Sequence, residues 1–324
     1  MQPQVKGSIP SSEVRRELAL DLVRATEAAA LACAREMGKG DEEAVRAAAG
    51  EAMRQALEDS GLAGTVVLGP RNDANLAHTV VVGEGNAFRA DLGVCPVEGA
   101  SLVARGAANA ISMLVAVEPG GFPVLPAVWY AEKIVAGPAA RGAIDLDDPI
   151  ADNLRRIAFA RDVRVQDLTV AILDRPRHQD LIAEVVAAGA RVMTLEEGDL
   201  AGAVMAAVPG SGIDATIGIG GLQETILAAC AVRCLGGEIQ ARLWPRNDEE
   251  RLLIGSEYMP QYGIADLSPT IVGVAITGIT GGALLPGVWF GSGYAETSSI
   301  LMSSRQSTIR RITTRHLVIG EPSG

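Results

Sequence analysis

The strand end before Gly99 carries the first side chain that could do chemistry. Residues 91–101 read as a buried strand running into a tight turn that contains Pro96 and Gly99. This turn holds one carboxylate, Glu98. An acid presented on a rigid turn suits a hard divalent cation, because such ions prefer oxygen ligands. Glu98 is therefore a candidate metal ligand and catalytic residue.

A second candidate follows the apolar strand predicted at residues 168–173. Arg175, Arg177 and His178 come directly after this strand. Ligands of open α/β sheets bind beyond the carboxyl ends of the strands, and two guanidinium groups there can clamp a phosphate. Arginines are also common after strands that bind nothing. The pattern thus permits either a phosphate clamp or an ordinary polar surface.

Two further stretches carry polar or glycine-rich patterns. Glu197 and Asp199 can each accept hydroxyl hydrogen bonds in a fork, but they suit the first turn of the next helix equally well. Residues 218–221 read Gly-Ile-Gly-Gly and are predicted to form a loop entering a helix that ends near Leu235. Such a loop can bind phosphate through backbone N–H groups, although the signal alone is weak. Gly220 and Gly221 are the candidates there.

Alternating helices and strands must position these residues. Helical periodicity predicts helices at 13–37, 42–57, 150–161, 180–188 and 200–208. Short β-branched or apolar runs predict strands at 64–69, 79–83, 91–94, 168–173, 191–194 and 213–217. Together they predict an α/β fold.

The acidic stretch 145–149 contains a proline and reads as a domain boundary. We expect residues 1–10 to be disordered and residues 11–148 to form an N-terminal α+β domain that carries most of the metal-site positions. We expect residues 149–324 to form a Rossmann-like α/β domain that carries the phosphate-clamp candidates, because strands and helices alternate there.

Composition narrows the class of protein. The chain has 324 residues, of which 48% are hydrophobic and 21% are charged, and its mean hydropathy is +0.23. This is a globular composition, and the length suits two domains. The net charge of −11 argues against nucleic acid or an anionic membrane as a partner. It does not argue against a phosphorylated substrate, since a local basic cluster or a metal can override the global sign.

The cysteines and the N-terminal residues argue against a zinc cluster, a signal peptide and a membrane span. Cys33, Cys95, Cys230 and Cys234 form no Cys-x-x-Cys pair, and there are only three histidines, which argues against a zinc cluster. We interpret Cys230 and Cys234 as buried apolar residues of a helix. Residues 1–10 lack the apolar core of a signal peptide, and no segment reaches the length of a membrane span. We therefore expect a soluble, cytoplasmic protein.

Several motifs, in order, resemble those of the class II fructose-1,6-bisphosphatase family and, more loosely, of the lithium-sensitive sugar and inositol phosphatases. The resemblance runs from about Arg15 to Arg315. The motifs are Arg-Glu-Leu-Ala at 16–19, Gly-x-Gly-Asp at 38–41, Pro-x-Glu-Gly at 96–99, Tyr-x-Glu-Lys-x-x-x-Gly-Pro at 130–138, Pro-Arg-His at 176–178, Gly-Ile-Gly-Gly-x-x-Glu at 218–224 and Thr-Gly-Ile-Thr at 277–280.

The resemblance implies a two-domain sugar-phosphatase fold with alternating helix and sheet layers. It implies divalent-metal-dependent hydrolysis of a phosphate monoester in a sugar phosphate or bisphosphate, and a homo-oligomer such as a dimer or tetramer. Mg²⁺ or Mn²⁺, as one ion or none, would be held by Asp41, Glu98 and Glu224. Asp41 could equally be a helix N-cap.

The resemblance also implies the substrate-binding residues. Tyr130 would contact a substrate phosphate, although an ordinary half-buried tyrosine explains it as well. Arg177 and His178 would line the pocket, and Glu197 and Asp199 would hold sugar hydroxyls.

The chain departs from the family pattern at the metal site. Where the family has Gly-Glu-Gly-Glu-x-Asp, residues 69–73 read Gly-Pro-Arg-Asn-Asp, so Asp73 stands in for the last acid as a second catalytic candidate. Arg71 would repel a cation there and could bind phosphate instead. Cys95 and Ala100 replace an acid and a threonine of the family.

These departures leave three hypotheses open. The first is a diverged phosphatase with a reduced metal site. The second is a non-hydrolytic enzyme on a sugar phosphate, of isomerase, lyase or transferase type, in which His178, Cys95 or the remaining acids transfer protons. The third is a catalytically inactive sugar-phosphate sensor or partner subunit.

Overall fold

The fold is taken from a computed structural model of the chain. It describes residues 11–60, 62–70, 76, 80–82, 89–255 and 259–317, with side chains from residue 19 onward. Two residues singled out in the sequence, Arg71 and Asp73, lie outside the described residues.

Helices in the described ranges lie close to the predicted ones. They are α1 (Ser11–Ala34), α2 (Glu42–Glu58), α3 (Ala100–Arg105), α4 (Ile150–Ala160), α5 (Gln179–Ala187), α6 (Asp199–Ala207), α7 (Leu222–Leu235), α8 (Asp248–Ile254) and α9 (Ile264–Leu267). The first helix ends before the predicted Met37, because residues 35–38 leave the helix in turns. None of the helices described is long and apolar enough to cross a membrane.

The strands described form two mixed sheets. They are β1 (Ala63–Leu68), β2 (Val81–Val82), β3 (Arg89–Glu98), β4 (Ile111–Val117), β5 (Tyr130–Ala136), β6 (Thr169–Leu173), β7 (Arg191–Leu195), β8 (Ala215–Gly221), β9 (Glu238–Trp244), β10 (Gln261–Gly263), β11 (Val272–Gly278), β12 (Trp289–Gly291), β13 (Tyr294–Ser303) and β14 (Thr308–Leu317). Sheet 1 has the order β12-β13-β11-β4-β3-β1-β2, with β14 on the free side of β13. Sheet 2 has the order β10-β9-β5-β8-β6-β7.

Helices and sheets alternate in layers. Helices α1 and α2 cover one face of sheet 1, α6 and α7 lie between the sheets, and α4 and α5 cover the outer face of sheet 2. Every residue of β4 is buried, because its side chains alternate between the α1–α2 core and the core around α6 and α7. The predicted α/β fold with alternating layers is confirmed.

The strands of sheet 1 come from two separate parts of the chain, and those of sheet 2 come from the part between them. Strand β5 precedes residue 148 and joins sheet 2, whereas β11–β14 follow it and join sheet 1. In sheet 2, β6 pairs in parallel with β7 and β8, while β5, β9 and β10 pair antiparallel. The domain boundary at 148 stays a prediction, and each sheet takes strands from both sides of this position.

Candidate active site

Glu98 is the last residue of β3, so the strand predicted at 91–94 continues further and Glu98 lies in the strand rather than in the predicted turn. The pairing of β3 with β4 shifts register between Cys95 and Glu98, and such an irregularity re-aims the side chain that follows it. Gly99 then takes a left-handed conformation with φ of 82° before α3 begins. Glu98 is buried, and its Oε1 accepts a hydrogen bond of 2.8 Å from the backbone N–H of Leu200 in α6.

Two carboxylates of the sheet 2 layer approach Glu98. Asp199 is the first residue of α6, and Glu224 lies in the first turn of α7. The charges of both act on Glu98. Acids from separate parts of the chain therefore meet where sheet 1 faces the helices of the middle layer.

Adjacent glycines make room for these two carboxylates. A Cβ on Gly220 would lie 1.8 Å from Oδ2 of Asp199, and one on Gly221 would lie 1.8 Å from Oε2 of Glu224. Both glycines belong to β8, paired with Ala131 and Tyr130 of β5. The predicted glycine-rich loop at residues 218–221 is therefore wrong, because this stretch continues the ladder to the start of α7. A role of Gly220 and Gly221 in substrate binding stays a prediction.

Lys133 supplies positive charge inside this group. It lies on β5, its side chain is fully buried, and its Nζ is 2.5 Å from Oδ2 of Asp199. The same ammonium acts on Glu98 and opposes the rise of its pKa. The buried lysine thus pairs with Asp199 and also acts on Glu98.

Burial and like charge dominate the electrostatics. Burial raises the pKa of Glu98 well above its usual range, the charges of Glu224 and Asp199 raise it further, and the Leu200 N–H and Lys133 oppose them.

The pKa of the Cys95 thiol is also raised well above its usual range, by burial first and then by Glu98 and Glu224. Its Sγ lies 3.9 Å from Oε2 of Glu98. A thiol in this environment stays protonated and is a poor nucleophile.

His178 is buried beneath the end of β8. Its Nδ1 lies 2.8 Å from the carbonyl oxygen of Leu173, and its Nε2 accepts a hydrogen bond of 2.8 Å from the N–H of Ile219. The Nδ1 therefore donates, and the ring is neutral with both nitrogens in use. Burial lowers its pKa, consistent with that state. His178 therefore links the end of β6 to β8 through these two hydrogen bonds.

Arg177 and Tyr130 lie together at the same end of sheet 2. The guanidinium of Arg177 lies 5.3 Å from the Tyr130 ring centroid and donates to the carbonyl oxygen of Ile219 at 2.9 Å. Tyr130 is half-buried and makes an edge contact with Trp244, with ring centroids 6.3 Å apart. The exposed Arg177 and the tyrosine hydroxyl are therefore available to an anionic group.

The remaining candidates lie at the periphery. Nη1 of Arg175 donates to the carbonyl of the preceding Asp174 at 2.9 Å, and Glu197 is half-buried next to Gly198. Asp41 is exposed and caps α2, accepting a hydrogen bond of 2.9 Å from the N–H of Ala44.

Comparison with known proteins identifies the family. The family model described as bacterial fructose-1,6-bisphosphatase, glpX-encoded, matches residues 16–316. The chain is 36% identical to fructose-1,6-bisphosphatase 1 class 2 of Escherichia coli strain K12, covering 94% of this chain and 96% of that protein. Fructose-1,6-bisphosphatases class 2 of Escherichia coli O6:H1 and Shigella flexneri match to the same extent. The chain belongs to this family. It is thereby a member of a family of hydrolases that act on sugar phosphates.

Members of the fructose-1,6-bisphosphatase family generally use divalent metals. The described part of the chain contains no group of three histidine, cysteine, aspartate or glutamate side chains that could hold a metal ion. The charge around Glu98 nevertheless suits a cation, because Glu224 and Asp199 add negative charge beside Glu98, whereas Lys133 brings a single positive charge. The donors present therefore fit one hard ion held by few protein oxygens and completed by water and substrate.

Sequence reasoning missed two groups of this fructose-1,6-bisphosphatase-family site. Lys133 belongs to the family motif at 130–138 but was not among the predicted site residues. Its two-residue spacing from the buried Ala131 and Val135 puts it on the inner face of β5. That spacing could have identified it. The Leu200 N–H had no sequence signal, because its contact with Glu98 joins residues 102 apart in the chain.

Proposed function

We propose that this protein hydrolyses a phosphate monoester of a sugar bisphosphate of the fructose 1,6-bisphosphate class, with a divalent cation. The observation that carries the proposal is the meeting of Glu98, Glu224 and Asp199 at one junction, where the charges of Glu224 and Asp199 act on the buried Glu98 and Lys133 opposes them. Such like-charge clustering costs folding free energy and is typical of functional sites. The names of the matched relatives supply the substrate class.

Glu98 and Glu224 would hold the cation, Mg²⁺ or Mn²⁺, with Asp41 and Asp73 as further predicted ligand and catalytic positions. When bound, the ion would neutralise phosphoryl oxygens and lower the pKa of a water molecule. The Leu200 N–H fixes Oε1 of Glu98 and so orients its carboxylate. Asp199 would accept hydroxyl hydrogen bonds of the sugar.

Arg177 and Tyr130 would bind the second phosphate, with Arg175 and Glu197 at the rim. The support is their joint location beside the end of β8, where Arg177 is exposed and already oriented by Ile219. Arginine suits this role because its planar fork matches phosphate geometry. A bisphosphate could then reach both groups of residues. We also propose that the protein forms a homo-oligomer, as its family resemblance implies.

Two observations favour hydrolysis over proton-transfer chemistry in the same pocket. Both nitrogens of His178 are in use, and the Cys95 thiol has a raised pKa. Neither is poised to exchange a proton with a substrate at neutral pH. The carboxylates remain, and they suit cation-assisted hydrolysis.

Phosphate release tests the proposal. Fructose 1,6-bisphosphate and sedoheptulose 1,7-bisphosphate are offered with Mg²⁺, with Mn²⁺ and with chelator, to the native chain and to a variant carrying Cys95→Asp and Ala100→Thr. We expect metal-dependent release by the native chain, and Glu98→Gln should abolish it. Sugar conversion without phosphate release would instead support a non-hydrolytic enzyme. Sugar-phosphate binding without any turnover by the native chain would support a sensor.

A further inference from the structure

Lys133 is an unusual residue to find at the centre of this fold. Its side chain is fully buried on β5, and its strand neighbours on the same face, Ala131 and Val135, belong to the apolar core around α6 and α7. Removing an ammonium group from water costs several kcal/mol unless a partner compensates it. A lysine in such a position therefore depends on the partner that it holds.

That partner is Asp199, and the contact uses only one of its oxygens. Nζ of Lys133 lies 2.5 Å from Oδ2, and the Asp199 side chain is 13% exposed. No group in the described part of the chain forms a hydrogen bond with Oδ1 of Asp199. One carboxylate oxygen is thus fixed by the lysine, while the other is left to accept a hydrogen bond.

The surrounding backbone keeps this arrangement in one place. Gly198 adopts a left-handed conformation with φ of 92° immediately before α6 and so sets the direction from which Asp199 enters the site. Gly220 has no side chain, and a Cβ there would lie 1.8 Å from Oδ2 of Asp199 and 2.7 Å from Nζ of Lys133. The pair therefore occupies space that only a glycine leaves open.

We propose that Lys133 is a positioning residue that orients Asp199 toward the hydroxyl groups of the substrate and so makes the site selective for a polyhydroxylated phosphate ester. The inference deepens the proposed function and rests on it. By holding Oδ2, the ammonium restricts the carboxylate to one orientation in which Oδ1 accepts from a sugar hydroxyl. A charge-assisted hydrogen bond of this kind loses strength steeply when its acceptor is free to rotate.

A purely structural role of the Lys133–Asp199 pair would have different consequences for binding. If Lys133 only compensated a buried charge, its loss would lower the stability of the fold and weaken every ligand alike. If it orients Asp199, its loss affects ligands with hydroxyl groups and spares those without them. The effect also disappears once Asp199 can no longer accept as a carboxylate.

The experiment measures binding by calorimetry, which does not require turnover. Fructose 6-phosphate and inorganic phosphate are titrated into native protein, Lys133→Met, Asp199→Asn and the double variant, each checked by circular dichroism. Arg315→Met, which removes one exposed ion-pair partner of Glu296, is the matched control.

We expect Lys133→Met to weaken the binding of fructose 6-phosphate by about 10- to 100-fold, which is the effect of losing one charge-assisted hydrogen bond. The binding of inorganic phosphate should weaken by less than about threefold. In the Asp199→Asn background it should cause no further loss. If Lys133→Met does not fold, Lys133→Gln replaces it; because this variant loses the charge but keeps an N–H donor, we expect a smaller loss of binding that is again confined to fructose 6-phosphate.

Equal weakening of both ligands, or additive losses in the double variant, would overturn the inference while leaving the phosphatase proposal intact. Failure of the native protein to bind fructose 6-phosphate would overturn the inference, and the phosphatase proposal falls only if the native protein also releases no phosphate. The two failures are distinguishable, because native phosphate release is measured separately.

Discussion

Gly220→Ala is the most informative single substitution at the junction of the two sheets. The added methyl group would lie 1.8 Å from Oδ2 and 2.3 Å from Cγ of Asp199, and 2.7 Å from Nζ of Lys133. Asp199 cannot yield without giving up its contact with Lys133, which would leave an ammonium buried without its partner. Gly220 itself is held in the ladder between β8 and β5, so the backbone has little freedom to move away.

The magnitude follows from that contact. Separating a buried ion pair costs about 3–5 kcal/mol when a partner is removed outright, so displacement of Asp199 should cost about 2–4 kcal/mol of unfolding free energy. Gly273→Ala is the matched control, because this strand glycine of β11 would bring its Cβ to 3.5 Å from Leu22 and 3.9 Å from Ala116. That is ordinary contact, and we expect a change within about 1 kcal/mol.

Urea unfolding and fructose 6-phosphate binding are measured on both alanine variants. We expect Gly220→Ala to lose stability and to weaken binding by about tenfold or more, while Gly273→Ala stays close to native in both. If the two variants behave alike, Asp199 and Lys133 are not confined as the structure indicates, and the reasoning fails.

Three further predictions concern the buried titratable groups. Glu98→Gln should abolish phosphate release yet raise the unfolding free energy in chelator, because burial and then the charges of Glu224 and Asp199 disfavour the Glu98 carboxylate; a destabilised variant would contradict this reasoning. The pKa of His178 is lowered, because burial disfavours its charged form. As pH falls through about 6.5, this histidine binds a proton in the unfolded chain before it does in the folded one, so native stability should decline there. An NMR resonance of His178 that titrates at or above that pH would contradict this reasoning. Cys95 should resist iodoacetamide at pH 8 until the protein unfolds, and rapid labelling in mass spectrometry would show that the thiol is not held protonated.

Local pattern was sufficient for most helices, although not for the place where the strand that carries Glu98 ends. The helix at 42–57 depends on residues close in sequence, so composition and spacing predict it well. Cys230 is buried as expected, whereas Cys234 is half-buried, and burial raises the pKa of each thiol to about 12.

Long-range pairing was not accessible in the same way. Residues 218–221 look like a loop because glycines at a helix start usually form one, yet strand β8 continues through them beside β5. Their conformation is decided by a partner more than eighty residues away, and by the carboxylates of Asp199 and Glu224 that occupy the space above them. The spacing of Lys133 in β5 predicts its burial, but its pairing with Asp199, 66 residues away, cannot be predicted from local pattern.

The family resemblance added what periodicity could not. It singled out Glu224 and Asp199, which local physics explains equally well as acids in the first turn of a helix. The structure brings both side chains to Glu98, so their charges act on one buried group. Residue roles in the reaction remain predictions that rest on this meeting of charges.

The most direct test is the rate of phosphate release from fructose 1,6-bisphosphate by native protein and by Glu98→Gln, each with Mn²⁺ and with chelator. The account predicts that the native protein releases phosphate only with the metal, with fructose 6-phosphate formed in equal amount, and that the folded Glu98→Gln variant releases none. Metal-independent release, or an unchanged rate in Glu98→Gln, would contradict the claim that Glu98 and the carboxylates beside it form the hydrolytic site.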